Sequence, residues 1–405
     1  MRDQYRKPEP HEPDLDLVED DIEDDDDEGL AAQVGGMQAL LGDKRKLLSG
    51  GLLFLLLIVG IYVLAPKLLG LDKALQRLDE GEWPWVAVAV GFNVGAFAAY
   101  VALFRGVLGG SREDVVRRRL DVRASYQITM AGLAATRIFS AAGAGGIAVT
   151  YWALRKAGMP RRRSACRMVA FLVLTYVPYL LALVVCGVLL RTGVLPGSNP
   201  VGGTIVPAAV AGGLLGILLL IALIPQDLER RLHNFARGYR RARFVARIGA
   251  APATLATGVR TAIAYVRHPG RGALAVVGAI GFWAANIGVL WASFEAFGGH
   301  VPFGVLVQGF FVGMAANLIP SPAGGVGSVD AGMIAAFLLF DIPSEVVFPA
   351  VLCYRVIAFW LPIPPGIVAY FQLRKTVAAW ERERADGVPA GVYTSQSKVR
   401  AAEVR

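Results

Sequence analysis

The stretch "NLIPSPAGGVGSVD", residues 317–330, places two prolines, three glycines and a carboxylate inside one of the most apolar regions of the chain. Proline removes a backbone donor and glycine is a poor helix former, so a straight membrane-crossing helix does not carry both at this density. Backbone broken at membrane depth needs protein or water around it, because free N–H and C=O groups cost several kcal/mol in hydrocarbon. The stretch therefore predicts a helix broken on purpose, and the rest of the sequence is read outward from it.

Hydrophobic residues make up 55% of the 405 residues and charged residues 18%, with a mean hydropathy of +0.50. This is the balance of a polytopic membrane protein. Apolar runs at 47–66, 84–104, 166–190, 204–224, 272–297 and 345–372 are each near the ~20 residues that cross a ~30 Å hydrocarbon core. The first run follows a 43-residue polar tail and reads as a retained anchor, not a cleaved signal. Residues 1–43 read as a disordered acidic tail, since "VEDDIEDDDDEG" (18–29) has almost nothing apolar to bury.

Loop charge sets the topology. The first 28 residues hold 14 acidic and 3 basic side chains, which leaves 38 basic against 18 acidic in the remainder. The loops at 105–123, 153–167 and 225–271 carry six, five and ten arginines, whereas 298–302 carries no Lys or Arg. Arg-rich loops stay on the cytoplasmic side, which accounts for the basic balance without nucleic acid as a partner. The protein is expected in the cell (cytoplasmic) membrane with both termini cytoplasmic. Residues 124–152 and 303–340 are each bounded on both sides by loops of the same side. The economical reading is an all-α polytopic fold of about six spans plus two oppositely oriented re-entrant helical hairpins; full double crossings are the alternative.

The two hairpins are related. "GLAATRIFSAAGAGG" (132–146) aligns without gaps to "GMAANLIPSPAGGVG" (313–327) with eight identities: Gly132/Gly313, Ala134/Ala315, Ala135/Ala316, Ile138/Ile319, Ser140/Ser321, Ala142/Ala323, Gly143/Gly324 and Gly146/Gly327. The same motif at the break of two oppositely entering hairpins is an inverted repeat of the kind transporters use. Repeat 1 is assigned to about 84–190 and repeat 2 to about 272–372, within a membrane domain of 44–375 and with a cytoplasmic tail over 376–405.

Two uses of the breaks are open. Glycine clusters can simply allow close helix packing. They can also expose N–H groups at the start of a half-helix, which forms an anion site. Gly143, Gly145 and Gly146, with Ser321, Gly324, Gly325 and Gly327, are candidates for the second role. Arg137, Asp330 and Arg355 are charged at positions where a charge is costly. Either Asp330 and Arg355 form a structural pair and Arg137 reaches to the interface, or both arginines attract a phosphate. Cys166, Cys186 and Cys353 and the four histidines show no metal-ligand spacing, so neither a metal nor a cofactor is implied.

"PSPAGGVGSVDAGMIAAFL" (320–338) followed by "VLCYRVIAFWLPIPPGI" (351–367) resembles the lysylphosphatidylglycerol synthase transmembrane domain family, also called flippase-like proteins, over roughly residues 47–375. The resemblance rests on Pro320, Pro322, Gly324, Gly325, Gly327, Asp330, Tyr354 and Arg355, with Asp330 where the family usually has Glu. The first hairpin lacks the Pro and the Gly-Glu pair of many relatives. The resemblance implies a module that moves lipid between leaflets and adds Tyr354 to the candidate site. Its expected partners are membrane lipids, anionic or phosphate-bearing. The 377–405 segment is too short for an aminoacyl-transferase domain, so no enzyme activity is expected. A membrane-embedded lipid-headgroup or glycosyl transferase, or an ion channel with the re-entrant loops as its filter, remain the rival readings.

Overall fold

The computed structural model describes residues 81–109, 114–138, 144–223, 242–318 and 325–385, and every regular element among them is helical. The expected first span at 47–66, the acidic tail, Gly143, Pro320, Ser321, Pro322 and Gly324 lie outside the described residues. The helices are α1 (Trp83–Leu108), α2 (Asp114–Arg119), α3 (Val122–Ile138), α4 (Ala144–Ala157), α5 (Arg161–Arg191), α6 (Ile205–Ala222), α7 (Ala242–Arg267), α8 (Pro269–Ala296), α9 (Phe303–Met314), α10 (Ser328–Leu339), α11 (Ser344–Arg355) and α12 (Ile363–Ala385). Among the described residues five helical stretches are long and apolar enough to cross a membrane: Trp83–Leu108, Arg161–Arg191, Ile205–Ala222, Gly272–Ala296 and Ser344–Arg384. They coincide with the five later apolar runs of the sequence, and the protein has an all-α polytopic membrane fold.

At the centre, α1 and α8 pack antiparallel along most of their length. Proline stands in the first turn of both, where its missing N–H removes a donor that would be unpaired anyway. Glycine brings the two backbones together: Gly106 lies against Ala275, Gly278 against Leu103 and Gly288 against Phe92. A Cβ on Gly278 would stand 2.5 Å from the Leu103 nitrogen. Association through small residues is how apolar helices bind each other when lipid removes the hydrophobic drive.

Both interrupted segments fold back on themselves. Gly132 of α3 faces Gly146 of α4, and Gly313 at the end of α9 faces Met333 of α10, with Gly309 one turn earlier against Phe337. Each pairing runs backwards in sequence, so each segment is an antiparallel helical hairpin. The 12-residue helix α10 rises about 18 Å, well short of a ~30 Å core.

The ends of the hairpins contact different parts of the chain. Hairpin α9–α10 begins with Gly304 against Leu195 and ends with Phe340 beneath Gly203, while Asp341 accepts a 2.7 Å hydrogen bond from Ser198. Both ends meet the α5–α6 loop. Hairpin α3–α4 begins beside Arg119 and ends at Lys156, and both residues pair with the last turns of α12, at Glu383 and Glu381. The two hairpins thus open against different elements, one at the α5–α6 loop and the other at the end of α12. Each hairpin also packs on a long helix outside itself: α3 lies on α12, and α9 on α5. Gln127 and Gln308 stand at equivalent places in α3 and α9, both fully buried. Gln127 accepts from Thr376 in α12, and Gln308 donates to the Gly203 carbonyl just before α6.

Two segments differ from the sequence reading. Residues 242–267, read as part of a basic loop, form α7, which packs Ala256, Val259 and Ala262 inward against α5 and α6. Residues 376–385, read as tail, continue α12, because Val377 and Trp380 are buried and the basic end of the first hairpin supplies ion-pair partners.

Candidate functional site

The last membrane helix is not regular. Between α11 and α12 the chain makes a π turn over Val356–Trp360, closed by a 2.9 Å hydrogen bond from the Leu361 N–H to the Val356 carbonyl. The sequence "LPIPPG" (361–366) explains it. With Leu361 bonded to Val356, the next donor for the Ile357 carbonyl would be residue 362, a proline without an N–H. Pro362 also fails the Ala358 carbonyl in α register, and Pro364 fails Phe359 in π register. Three consecutive carbonyls at membrane depth are thereby short of backbone donors, a costly state unless side chains intervene.

Side chains of repeat 1 intervene. Asn93 of α1 donates from Nδ2 to the Ile357 carbonyl at 2.9 Å. Arg137, in the last turn of α3, donates from Nη1 to Phe359 and from Nη2 to Ala358, both at 2.9 Å. The planar fork of arginine matches two neighbouring carbonyls as a lysine point charge would not. π turns often mark functional positions in membrane and soluble helices alike.

The second break converges on the same place. Gly325 and Gly327 have φ of +93° and +84°, a region glycine enters without steric cost. Asp330, three residues later in the first turn of α10, accepts the Gly327 N–H through Oδ2 at 2.8 Å and pairs through Oδ1 with Arg355 Nε at 2.5 Å. Arg355 Nη2 also donates to the Gly325 carbonyl at 3.1 Å. Val326 from this break and Ile138 from the edge of the other pack around Phe359 and Ile363.

Phe359 stands between the cations. The guanidinium of Arg355 is 4.4 Å and that of Arg137 5.3 Å from the centre of its ring, within the ~6 Å at which a cation is held by the ring's negative face. Arg355 is 5% and Asp330 9% exposed. The charged set is two arginines and one carboxylate, with Arg355 and Asp330 buried and Arg137 half-buried. Neither break, 139–143 or 319–324, contains an acidic residue. Elsewhere, Glu295 is engaged by His300 and Asp341 by Ser198.

The candidate residues fall into groups. Arg137, Gly325, Gly327, Asp330 and Arg355 come together at the two breaks. Tyr354 is buried beside Arg355, edge-on to Phe310. Gly145 lies in the first turn of α4, and Gly146 packs on Gly132. The Gly327 N–H is already taken by Asp330. Asn93 and Phe359 were not among the residues singled out from the sequence. The signal for both was the run of prolines after 361, which announces carbonyls that need side-chain donors and an aromatic held between charges.

The family model for the lysylphosphatidylglycerol synthase TM region matches residues 48–366. A search of curated proteins returns no match to the chain.

Proposed function

The chain belongs to the lysylphosphatidylglycerol synthase TM region family, and from that premise we propose that it carries a phosphate-bearing lipid between the leaflets of the cytoplasmic membrane. The observation that carries this reading is the charge set at Phe359, two arginines to one carboxylate, with Arg355 and Asp330 buried and Arg137 half-buried. Arg355 is matched by Asp330, whereas Arg137 is held by neutral carbonyls, and an anion arriving from the membrane supplies the charge that those carbonyls do not. Phosphodiester or polyprenyl-phosphate headgroups offer that charge together with the several acceptor oxygens a guanidinium takes in parallel.

In this reading the two hairpins are re-entrant, one from each face, and their breaks form the floor of two opposed cavities. Support comes from their short half-helices and from the meeting of each hairpin's two ends at a shared element. A headgroup reaches the arginines from one face and leaves to the other while its acyl chains remain in lipid, the alternating arrangement that inverted repeats permit. Of the five N–H groups of Arg137, two are held by the π turn; the remaining donors are what the phosphate would use. Asp330 keeps Arg355 oriented and is not a phosphate ligand. The basic ends of α3, α4 and α12 face the cytoplasm.

The test is reconstitution of the full chain in vesicles with fluorescent phosphatidylglycerol and dithionite quenching of the outer leaflet. Arg137→Gln and Arg355→Gln are expected to slow translocation at least about tenfold, the loss of a charge-assisted contact. Thermal unfolding in detergent is measured alongside to separate loss of transport from loss of fold. Variants that fold and translocate at the wild-type rate overturn the phosphate site.

A further inference from the structure

A second basic feature lies away from Arg137 and Arg355. At the end of the bundle that carries the Arg-rich loops, α6 and α7 diverge and leave a cavity of about 560 Å³ lined by Leu219, Ala222, Leu223, Arg260, Ile263 and Arg267, with Ala264 and His268 completing its wall. Its chemistry is divided. The α6 side is wholly apolar, and Leu219 and Leu223 are largely exposed, as is the neighbouring Leu220. The α7 side presents Arg260, Ile263, Ala264 and Arg267 on one helical face, since residues three, four and seven apart align. No described lining residue is acidic.

Arg260 is positioned. Its Nε donates to the Ala222 carbonyl at 2.9 Å, at the C-terminal end of α6. This helix end presents unpaired carbonyls and partial negative charge, which hold the guanidinium in place. Among the described residues its two Nη groups remain for another acceptor. Arg267 stands two turns further on, a rise of about 10 Å. A groove with lipid-facing leucines along one wall and two spaced guanidinium groups on the other, at the membrane level of the Arg-rich loops, fits one occupant. Basic pockets between membrane helices on the cytoplasmic side are suited to anionic headgroups.

We propose that the α6–α7 groove binds an anionic phospholipid of the cytoplasmic leaflet, its phosphate between Arg260 and Arg267 and an acyl chain along Leu219 and Leu223. The site is independent of the transport reading. It is a place where a lipid resides, and the charges at Phe359 take no part in it.

The experiment places the full chain in nanodiscs of phosphatidylcholine doped with a photoactivatable phosphatidylglycerol or, in parallel, with the same probe on phosphatidylcholine. Adducts are mapped by peptide mass spectrometry. The expected result is labelling of residues 219–223 and 260–268 by the glycerol probe, at least about fivefold above the choline probe, since a juxtamembrane basic residue contributes roughly that factor. Arg267→Gln should reduce this labelling about fivefold on the same ground, and Arg260→Gln/Arg267→Gln should abolish the preference. Arg267 has an exposed side chain, so its variant keeps the test decisive if the Arg260 change disturbs folding. Equal labelling by both probes, labelling indifferent to Arg267→Gln, or a groove closed to lipid by the chain's own residues 224–241 and therefore unlabelled, overturns the proposal. A failure of the translocation assay leaves these outcomes unaffected.

Discussion

Asp330 divides its two oxygens between a backbone N–H at the start of its own helix and the guanidinium of Arg355 on another. It therefore caps α10 and neutralises a buried cation with one carboxylate. Removing one partner of a buried pair leaves an uncompensated charge and typically costs about 3–5 kcal/mol. Asp330→Asn is accordingly expected to lower the unfolding temperature sharply in detergent, and Asp330→Asn/Arg355→Met to recover much of the loss, because no bare charge then remains at that position. A double variant no more stable than the single one would show that the pair is not what holds the break. The sequence made this pair visible as one of two open readings, since both charges lay in apolar surroundings. For Arg137 it left reaching to the interface and phosphate contact open, because the acceptors of that side chain are main-chain carbonyls, which leave no mark of their own in the residue types at 358 and 359.

The last membrane helix is built around its own defect. Pro362 and Pro364 withdraw donors, the chain takes up a π turn, and Asn93 and Arg137 close the carbonyls from outside. Stranding a buried carbonyl costs about 1–3 kcal/mol, so Asn93→Leu should destabilise the protein by that amount in a denaturant titration. Pro362→Ala returns an N–H that can serve Ile357 in π register or Ala358 in α register. In a double-variant cycle Asn93→Leu should then cost about 1 kcal/mol less in the Pro362→Ala background. Strictly additive effects would contradict the link between proline and asparagine. The existence of this helix was legible as an apolar run, but its interior was not, because hydropathy counts side chains and the defect is in the backbone. For the same reason α7 was missed: ten arginines over 225–271 outweighed the helical spacing of Ala256, Val259 and Ala262 that packs it against α5 and α6.

Across the whole molecule the organising fact is the packing of hairpins on long helices. Each hairpin packs on a long helix outside itself, α3 on α12 and α9 on α5, and α1 and α8 pair along the centre. The repeat was readable because close packing demands glycine at the same places twice, at Gly132 and Gly313. Its extension to Gln127 and Gln308 was hidden by surrounding residues that differ. On this plan single cysteines replacing Asp121 and Gly158 in a cysteine-free background should react with an impermeant maleimide only from the cytoplasmic side, and those replacing Ser198 and Asp341 only from outside. Residues 158 and 121 labelling from opposite faces would make the first hairpin a double crossing. The central claim is that the two breaks present surplus positive charge to a lipid phosphate. The most direct measurement is a density map of the full chain in nanodiscs containing phosphatidylglycerol. The account predicts phosphate density within hydrogen-bonding reach of Arg137 or Arg355 beside Phe359. A well-resolved cleft holding both arginines in contact with protein groups alone, in a preparation that translocates lipid, would contradict it.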